Sequence, residues 1–358
     1  MKTFLKIVKI AGLILALIIV IFGIFVGVLT ITEYRPKEKE TLEITGTGGS
    51  RSLAAGTPFK ILSWNIGYAS LDATEDFFMD GGTHVRPAKN TNVKNNIENI
   101  KKLVTDPSWD AVLIQEVDTH SFRSYWVNQV EYLTGGYAGS WTLGYNFKAA
   151  FVPYPVPEFI GPVQSGILSM TAFAPREALR IRLPSPFKWP VRIANLKRCL
   201  LAEWIPIENS SRELVLVNLH LEAYSSDSGR LAQMLIMMDF LNAEYARGNY
   251  CIAGGDFNQS FPGIDPELFR IKNDDYFVAG TLTPGMLQSG WQFASDTQTP
   301  SARLLNEPYS GSYEDTQLYV IDGFILSPNV RLKSVKTLAD GFKYSDHHPV
   351  SLEVILED

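Results

Sequence analysis

Polar residues that could bind a metal ion or a phosphate recur at the ends of apolar segments along this 358-residue chain. In chain order they are Asn65 after ILSW, Gln115 and Glu116 after AVLI, Asn218 and His220 in LVLVNLH, Asp256 and Asn258 after CIAGG, Asp322 within YVIDGFIL, and Asp346 and His347 before VSLEVIL. Burying each of them separately in a core would be costly. Aligned strands bring their ends to the same rim, so the pattern predicts one shared polar site.

Carboxylate and amide oxygens are the ligands that Mg²⁺ prefers, with Mn²⁺ as the alternative ion. A zinc site would require cysteines or clustered histidines, and neither is spaced for it. Taken singly, Asn65 could be a turn residue and the Asp256–Asn258 pair could form an Asx turn. A purely structural role is least plausible for Asp322, because burying an unpaired carboxylate inside a strand costs free energy. The two cysteines, Cys199 and Cys251, each lie in an apolar run and are predicted to be buried thiols. A single disulfide between them is the alternative.

The elements that must position these residues alternate along the chain. VKNNIENIKKLV places Val93, Ile97, Ile100 and Val104 on one helical face, and GRLAQMLIMMDFLNAEYARG places Leu231, Leu235, Met238, Leu241 and Tyr245 on another. Short apolar strands bounded by Gly and Asn separate these helices. The alternation predicts an α+β or α/β sandwich.

The N-terminus predicts a membrane anchor. Residues 10–31 contain no charge, and as a helix they would span roughly 30 Å, the thickness of a bilayer core. Lys2, Lys6 and Lys9 precede this run, which favours a short cytoplasmic tail (1–9) and an exported C-terminal part at the cell membrane. A cleaved signal peptide is disfavoured by the length of the run and by the lack of a nearby A-x-A site.

Two further regions follow the anchor. Residues 32–58 are polar and rich in Gly, Thr and Ser, so we expect a flexible stalk. From residue 59 to 358 the composition is globular, without an internal repeat or second linker, and this predicts one domain.

Six ordered motifs resemble those of the endonuclease/exonuclease/phosphatase superfamily over residues 59–358. They are WN at 64–65, QE at 115–116, NLHL at 218–221, GGDFN at 254–258, IDGFILS at 321–327 and SDHHPV at 345–350. The resemblance implies an α/β fold, a four-layered α/β/β/α sandwich with two mostly antiparallel sheets, here preceded by one transmembrane helix.

The resemblance also implies residue roles. Glu116 resembles the principal metal ligand, Asn65 the amide that helps to position it, and Asp346 a further carboxylate of the metal site. Catalytic roles are implied for His347, which would meet the scissile phosphate with Asp322 as its partner, for Asp256 and Asn258, which would orient the attacking water, and for the second phosphate-site histidine, His220. His348 is expected to be a packing or rim residue.

Substrate contacts are the least determined part of the sequence. Arg198 in LKRCLL and Lys148 in NFKAAFVPYPVP are candidate substrate-binding residues, and the polar loop 72–90 either lines the pocket or lies on the surface. The net charge of −6 disfavours tight non-specific binding to nucleic acid.

The expected function is a divalent-metal-dependent hydrolase of phosphodiesters or phosphomonoesters on the outer face of the membrane. The substrate would be a nucleic acid, a phospholipid headgroup or a small phosphoester, and no obligate protein partner is indicated. The alternatives are an extracellular nuclease, a sphingomyelinase-like lipid phosphodiesterase, and a catalytically inactive membrane-anchored binding protein.

Overall fold

The computed structural model describes residues 1–49, 51–224 and 227–357 of the chain. Its helices are α1 (Lys2–Ile31), α2 (Asn90–Val104), α3 (Gln129–Thr134) and α4 (Asp227–Ala246). Its strands are β1 (Lys39–Thr41), β2 (Thr45–Gly46), β3 (Phe59–Asn65), β4 (Ala111–Asp118), β5 (Ser140–Val152), β6 (Gly161–Thr171), β7 (Glu177–Arg182), β8 (Cys199–Pro206), β9 (Glu213–His220), β10 (Tyr250–Asp256), β11 (Gln259–Ser260), β12 (Gly280–Thr281), β13 (Gln292–Ala294), β14 (Ala302–Arg303), β15 (Leu318–Tyr319), β16 (Asp322–Leu326), β17 (Val330–Thr337) and β18 (Val350–Leu356).

Two seven-stranded sheets form the centre of the domain. The first has the order β17-β18-β3-β4-β6-β5-β2, and the second has the order β1-β7-β8-β9-β10-β16-β13. All neighbouring pairs are antiparallel except β3 with β4 and β9 with β10. Apolar side chains from the facing surfaces of both sheets, such as Ile61, Leu113, Leu216, Ile252 and Phe324, share one buried cluster.

Helices cover the outer surfaces of the sheets. Val93, Ile97 and Ile100 of α2 are fully buried against Leu62 and Ile114 of the first sheet. Helix α4 packs in the same way on the outer surface of the second sheet. The predicted four-layered sandwich is therefore confirmed.

The face of α4 that packs on the sheet differs from the predicted one. Met234, Met237, Met238 and Leu241 are buried, whereas Leu231 and Leu235 are exposed. The helix is apolar over most of its circumference, so periodicity alone did not define the buried side.

Each parallel pair brings two strand ends to one rim of the sandwich. The β3–α2–β4 connection sets Asn65 beside Gln115, and the β9–α4–β10 connection sets Asp256 beside His220. On its other side Asp256 pairs with Asp322 of antiparallel β16. Gln115 also joins the two sheets, because its Nε2 donates to Asn218 Oδ1 at 2.8 Å between them.

Helix α1 is long and apolar enough to cross a membrane. Residues 1–24 are exposed along its length, while the last turns contact the domain. Phe25 makes an edge-to-face contact with Phe151, and the Trp189 indole donates to Thr30 Oγ1 at 3.2 Å. Glu33, just beyond the helix, pairs with Arg192 and Lys197.

The segment 32–58 does not form the separate flexible stalk that its composition predicts. Strand β1 pairs with β7 and strand β2 with β5, so this segment supplies an edge strand to each sheet. Leu53 is 3% exposed and bridges Ile207 in the core between the sheets. A polar composition did not reveal this pairing, because edge strands form backbone hydrogen bonds and need few apolar side chains. The prediction of buried thiols is confirmed, since Cys199 and Cys251 are both buried and free.

If the segment is an integral part of the domain, Leu53→Ala should lower the free energy of unfolding by about 2–4 kcal/mol, the usual cost of truncating a buried leucine. The change would be measured by thermal or denaturant unfolding of the full chain in detergent. Ser52→Ala, at the exposed neighbouring position, is the matched control. Equal stability of the two variants would mean that the segment is dispensable.

Candidate active site

Most of the predicted site residues meet at the rim where the ends of the parallel strands converge. A cavity of about 590 Å³ opens there. Its lining includes Asn65, Glu116, His220, Asp256, Asn258, Asp346 and His347. The side chain of Asp322 lies directly behind His347.

His347 is held by a buried carboxylate. Its Nδ1 lies 2.8 Å from Asp322 Oδ2, and that oxygen also accepts a hydrogen bond of 2.7 Å from Ser301 Oγ. The Ser301 hydroxyl in turn accepts the backbone N–H groups of Ile321 and Asp322. The imidazole is therefore fixed through Nδ1, and its Nε2 lies 3.8 Å from both Asp256 Oδ2 and Asp346 Oδ2.

The electrostatics of the two histidines differ. Burial lowers the pKa of His347, but the charges of Asp322 and Asp346 and the Asp322 hydrogen bond outweigh it, so the pKa lies well above its usual 6.5. For His220, burial and then the charge of Arg198 hold the pKa well below 6.5. One ring is an imidazolium at neutral pH and the other a neutral imidazole.

Asp256 occupies the centre of the polar groups. Its Oδ1 accepts the Asn258 backbone N–H at 2.8 Å, and its Oδ2 accepts Asn65 Nδ2 at 2.9 Å. His220 Nε2 lies 3.5 Å from the same Oδ2. Burial, reinforced by the nearby charge of Asp322, raises the pKa of Asp256 to about 7. A carboxylate with such a pKa is matched to proton transfer near neutral pH.

Glu116 reaches the cavity through an irregularity in β4. The register between β4 and β6 shifts between Ile114 and Val117, and Glu116 itself has a φ of 55°. Positive φ is unfavourable for a residue with a side chain, and such strain is typical of functional positions. Here it turns the carboxylate toward Asn65, whose Nδ2 lies 3.3 Å from Glu116 Oε1.

Asn65 and Asp346 complete the acidic part of the site. The Asn65 amide donates to Glu116 and Asp256 while its oxygen accepts the Gly67 backbone N–H, so it orients two carboxylates at once. Asp346 lies against the backbone of Gly67, where a Cβ would come within 2.7 Å of Asp346 Oδ1. Glycine at this position, with a φ of 48°, therefore makes room for the carboxylate.

The remaining predicted residues fall into different surroundings. Asn258 lines the cavity and donates its amide to Leu221 O at 2.9 Å. Arg198 also lines it, but its guanidinium donates to Glu222 and to the carbonyl of His220. Lys148 lies outside the cavity lining and sits over the Tyr145 ring at 3.6 Å.

His348 has the packing role that the sequence suggested. It is fully buried, stacks on the Phe342 ring at 3.8 Å, and its Nδ1 lies 2.8 Å from the carbonyl oxygen of Pro300. The adjacent histidines thus serve different purposes, since His347 lines the cavity and His348 packs against Phe342.

Two residues that support the site were not singled out from the sequence. Arg123 is buried, pairs with Asp118 through two hydrogen bonds, and lies 3.7 Å over the Tyr68 ring. Ser301, behind Asp322, belongs to the polar loop 295–301 and carries no distinguishing motif. A buried arginine usually pairs with a carboxylate, but the sequence does not show which one until the neighbouring strands have been placed.

The loop 72–90 contributes to the cavity wall. Asp80 in this loop is buried, accepts the Tyr224 hydroxyl at 3.0 Å, and lines the cavity. Burial raises its pKa to about 6. Arg303 fixes the base of the loop by donating to the carbonyls of Asp72 and Glu75.

The acidic residues fit a hard divalent cation. Burial raises the pKa values of Glu116 and Asp346, which also repel each other, and it raises that of Asp256. Among the described residues, Asp322 Oδ1 has no hydrogen-bond partner. Clustered carboxylate oxygens of this kind are ligands that Mg²⁺ and Mn²⁺ take. Ligand atoms of Asp256, Asp322 and His347 also lie within 4.8 Å of one another, although His347 and Asp322 already bond to each other.

The sequence profile of the endonuclease/exonuclease/phosphatase family matches residues 62–347. The match spans most of the chain and includes the cavity residues from Asn65 to His347. The chain belongs to the endonuclease/exonuclease/phosphatase family, whose members hydrolyse phosphoester bonds.

Solved structures share this fold at low sequence identity. An endonuclease/exonuclease/phosphatase from Beutenbergia cavernae is 16% identical with a TM-score of 0.56, and the match covers 84% of this chain and 72% of that one. A conserved protein of unknown function from Enterococcus faecalis is 17% identical with a TM-score of 0.53, covering 84% and 100%. TDP2 from D. rerio, complexed with a single-strand DNA product, is 14% identical with a TM-score of 0.51, covering 83% and 99%. No curated protein sequence matches the chain.

If Asp322 supports the charge on His347, Asp322→Asn should lower the pKa of His347 by roughly 1–2 units, the usual effect of removing an adjacent opposite charge. The chain has five histidines, so NMR of histidine-labelled protein can follow each ring during a pH titration. Asp340→Asn, which removes a carboxylate 3.7 Å from His348, is the matched control and should leave the His347 titration in place. An unshifted His347 in Asp322→Asn would show that another group sets its charge.

Proposed function

We propose that this protein is a divalent-metal-dependent phosphoesterase whose domain is displayed on the outer face of a membrane. The observation that carries the proposal is the arrangement of His347, Asp322 and Asp256 at the base of one cavity. A positively charged imidazole faces a carboxylate whose pKa is about 7, and the free ring nitrogen and that carboxylate are 3.8 Å apart. A donor and a base placed in this way can act as the general acid and the general base of phosphoester hydrolysis.

The donor is His347. Its Nδ1 is occupied by Asp322, so the Nε2–H is available for a phosphoryl oxygen or for the leaving oxygen. Because the ring is held through Asp322 and Ser301, little rearrangement is needed when charge develops on the phosphate.

The base is Asp256. The Asn258 and Asn65 hydrogen bonds fix both of its oxygens, and its carboxylate can take a proton from the attacking water. His220 lies 3.5 Å from the same carboxylate, and its lowered pKa keeps it neutral at physiological pH. It can therefore form a hydrogen bond to the phosphate or to the water without adding a second positive charge beside His347.

Mg²⁺, with Mn²⁺ as the alternative, would supply Lewis-acid polarisation of the phosphoryl oxygens when bound. Glu116 and Asp346 would hold it, and Asn65 would orient Glu116. The raised pKa values of these acids, which a cation would lower, support the assignment.

Helix α1 supports the placement at a membrane. Its first turns carry Lys2, Lys6 and Lys9 ahead of the uncharged residues 10–31, while the flank after the helix carries as many acidic as basic residues. This charge bias favours a cytoplasmic N-terminus and an external domain.

A nuclease is the second candidate, because D. rerio TDP2, complexed with a single-strand DNA product, has a similar fold. The cavity lining disfavours it. The arginines among the described lining residues are Arg123, Arg198 and Arg303, and each is bonded to a carboxylate or to backbone carbonyls of the protein. Nucleic-acid backbones are usually bound by free cationic side chains.

The proposal predicts metal-dependent hydrolysis of bis-p-nitrophenyl phosphate or p-nitrophenyl phosphate by the full chain in detergent, with loss of activity in EDTA. His347→Ala should lower kcat by roughly 10²–10⁴-fold, because the charged donor is removed. Glu116→Gln should raise the Mg²⁺ concentration needed for half-maximal rate by roughly tenfold or more.

The matched controls are His84→Ala and Glu98→Gln, which alter an exposed histidine and an exposed glutamate away from the cavity lining. Wild-type rates in His347→Ala or an unchanged metal requirement in Glu116→Gln would contradict the assignment. No turnover of either ester by the wild type would favour the inactive binding protein.

A further inference from the structure

The cavity at the active site extends to the membrane helix. Its polar end contains Asp256 and His347, and the other end is lined by side chains of α1. The apolar lining residues there include Phe22, Val26 and Leu29 of α1 and Val152, Ile160 and Ile193 of the domain. This apolar extension would not bind a wholly polar substrate favourably, because a polar group that enters it loses its hydration and gains no hydrogen bonds.

The position of α1 sets the depth of this extension. Between Lys9 and Phe25, the first half-buried residue of the helix, there are 15 residues, 10–24, which span roughly 22 Å. A bilayer core is roughly 30 Å thick. If Lys9 marks the inner surface, the outer part of the bilayer reaches the turns of α1 that contact the domain. The apolar end of the cavity then lies at the level of the outer leaflet.

The protein surface beside the apolar end of the cavity is suited to contact with the outer leaflet. Tyr154, Val156 and Trp189 are 61%, 75% and 55% exposed, and Phe159 is also exposed. They belong to the loops beside α1, as the contacts of Phe151 with Phe25 and Phe159 and of Trp189 with Thr30 show. Exposed aromatic and apolar side chains of this kind are typical of a surface that enters the membrane interface.

We infer that the substrate is a membrane amphiphile, a phosphoester on a hydrocarbon chain, which enters from the outer leaflet along α1. The hydrocarbon lies between α1 and the 187–196 segment, and the phosphate reaches His347 and Asp256. Water adds its oxygen to phosphorus, the bond from phosphorus to one ester oxygen breaks, and the proton lost by the water balances the proton gained by the leaving oxygen. The inference rests on the proposed phosphoesterase function and assigns its substrate class.

Binding can be tested without turnover. The full chain, held in an amphipathic polymer without phosphoesters and supplied with Mg²⁺, is titrated calorimetrically with methyl, butyl and octyl phosphate. The polymer alone provides the blank. Each buried methylene adds up to roughly fourfold in affinity, so octyl phosphate should bind at least about a hundredfold more tightly than methyl phosphate.

Two substitutions fill the apolar extension from opposite walls. Val26→Trp on α1 and Ala194→Trp on the domain should each reduce the octyl-to-methyl affinity ratio to about tenfold or less. Ile24→Trp is the matched control, since Ile24 is 62% exposed and lies on the same helix outside the cavity lining. It should keep the wild-type ratio.

Equal binding of the three phosphates by the wild type would overturn the inference, and so would an equal loss of the ratio in Ile24→Trp. Turnover of sphingomyelin, phosphatidylglycerol and phosphatidic acid in nanodiscs then distinguishes diester from monoester lipids. Hydrolysis of bis-p-nitrophenyl phosphate without hydrolysis of any of these lipids would also overturn the inference. Failure to hydrolyse even the soluble ester, with chain-length-dependent binding intact, would instead count against the proposed phosphoesterase function alone.

Discussion

The register of three neighbouring strands determines the site. Parallel pairing of β9 with β10 and antiparallel pairing of β10 with β16 set Asp256 between His220 and Asp322. Asp322 then bonds to His347, which lies in the connection between β17 and β18. A shift of this register by one residue would turn Asp256 to the opposite face of its strand. The charge on His347 and the raised pKa of Asp256 both depend on this placement.

The same rim concentrates negative charge that the protein balances only in part. Glu116, Asp256, Asp322 and Asp346 converge, and His347 is the positive group among them. The cavity arginines are bonded to other protein groups, and an ion is therefore the natural counter-charge. The backbone of Glu116 is strained, with a positive φ. Such strain is typical of functional positions, and here it directs the carboxylate into the cavity, where a cation would bind.

Much of this could be predicted from the sequence because strand ends carry a strong local pattern. Apolar runs that end in Asn, Glu, Asp or His predicted the strands, and the polar residues at their ends predicted the shared site at one rim. The bulge at Glu116 could not be predicted, since it depends on pairing with β6. Nor could the pairing of residues 39–46 with both sheets, or the bonding of Arg198 to Glu222 and of Arg123 to Asp118, because these contacts join segments that are distant or weakly patterned. The apolar end of the cavity was missed because its walls come from the anchor and from the domain.

In the proposed site Glu116 and Asp346 hold the cation while His347 stays free to meet the phosphate. The most direct test is anomalous diffraction from crystals of the protein soaked with Mn²⁺. One strong peak is expected within bonding distance of the Glu116 and Asp346 carboxylates, with His347 still bonded to Asp322. A peak bonded to His347, as a site made by Asp256, Asp322 and His347 would give, or no peak at this rim, would contradict it.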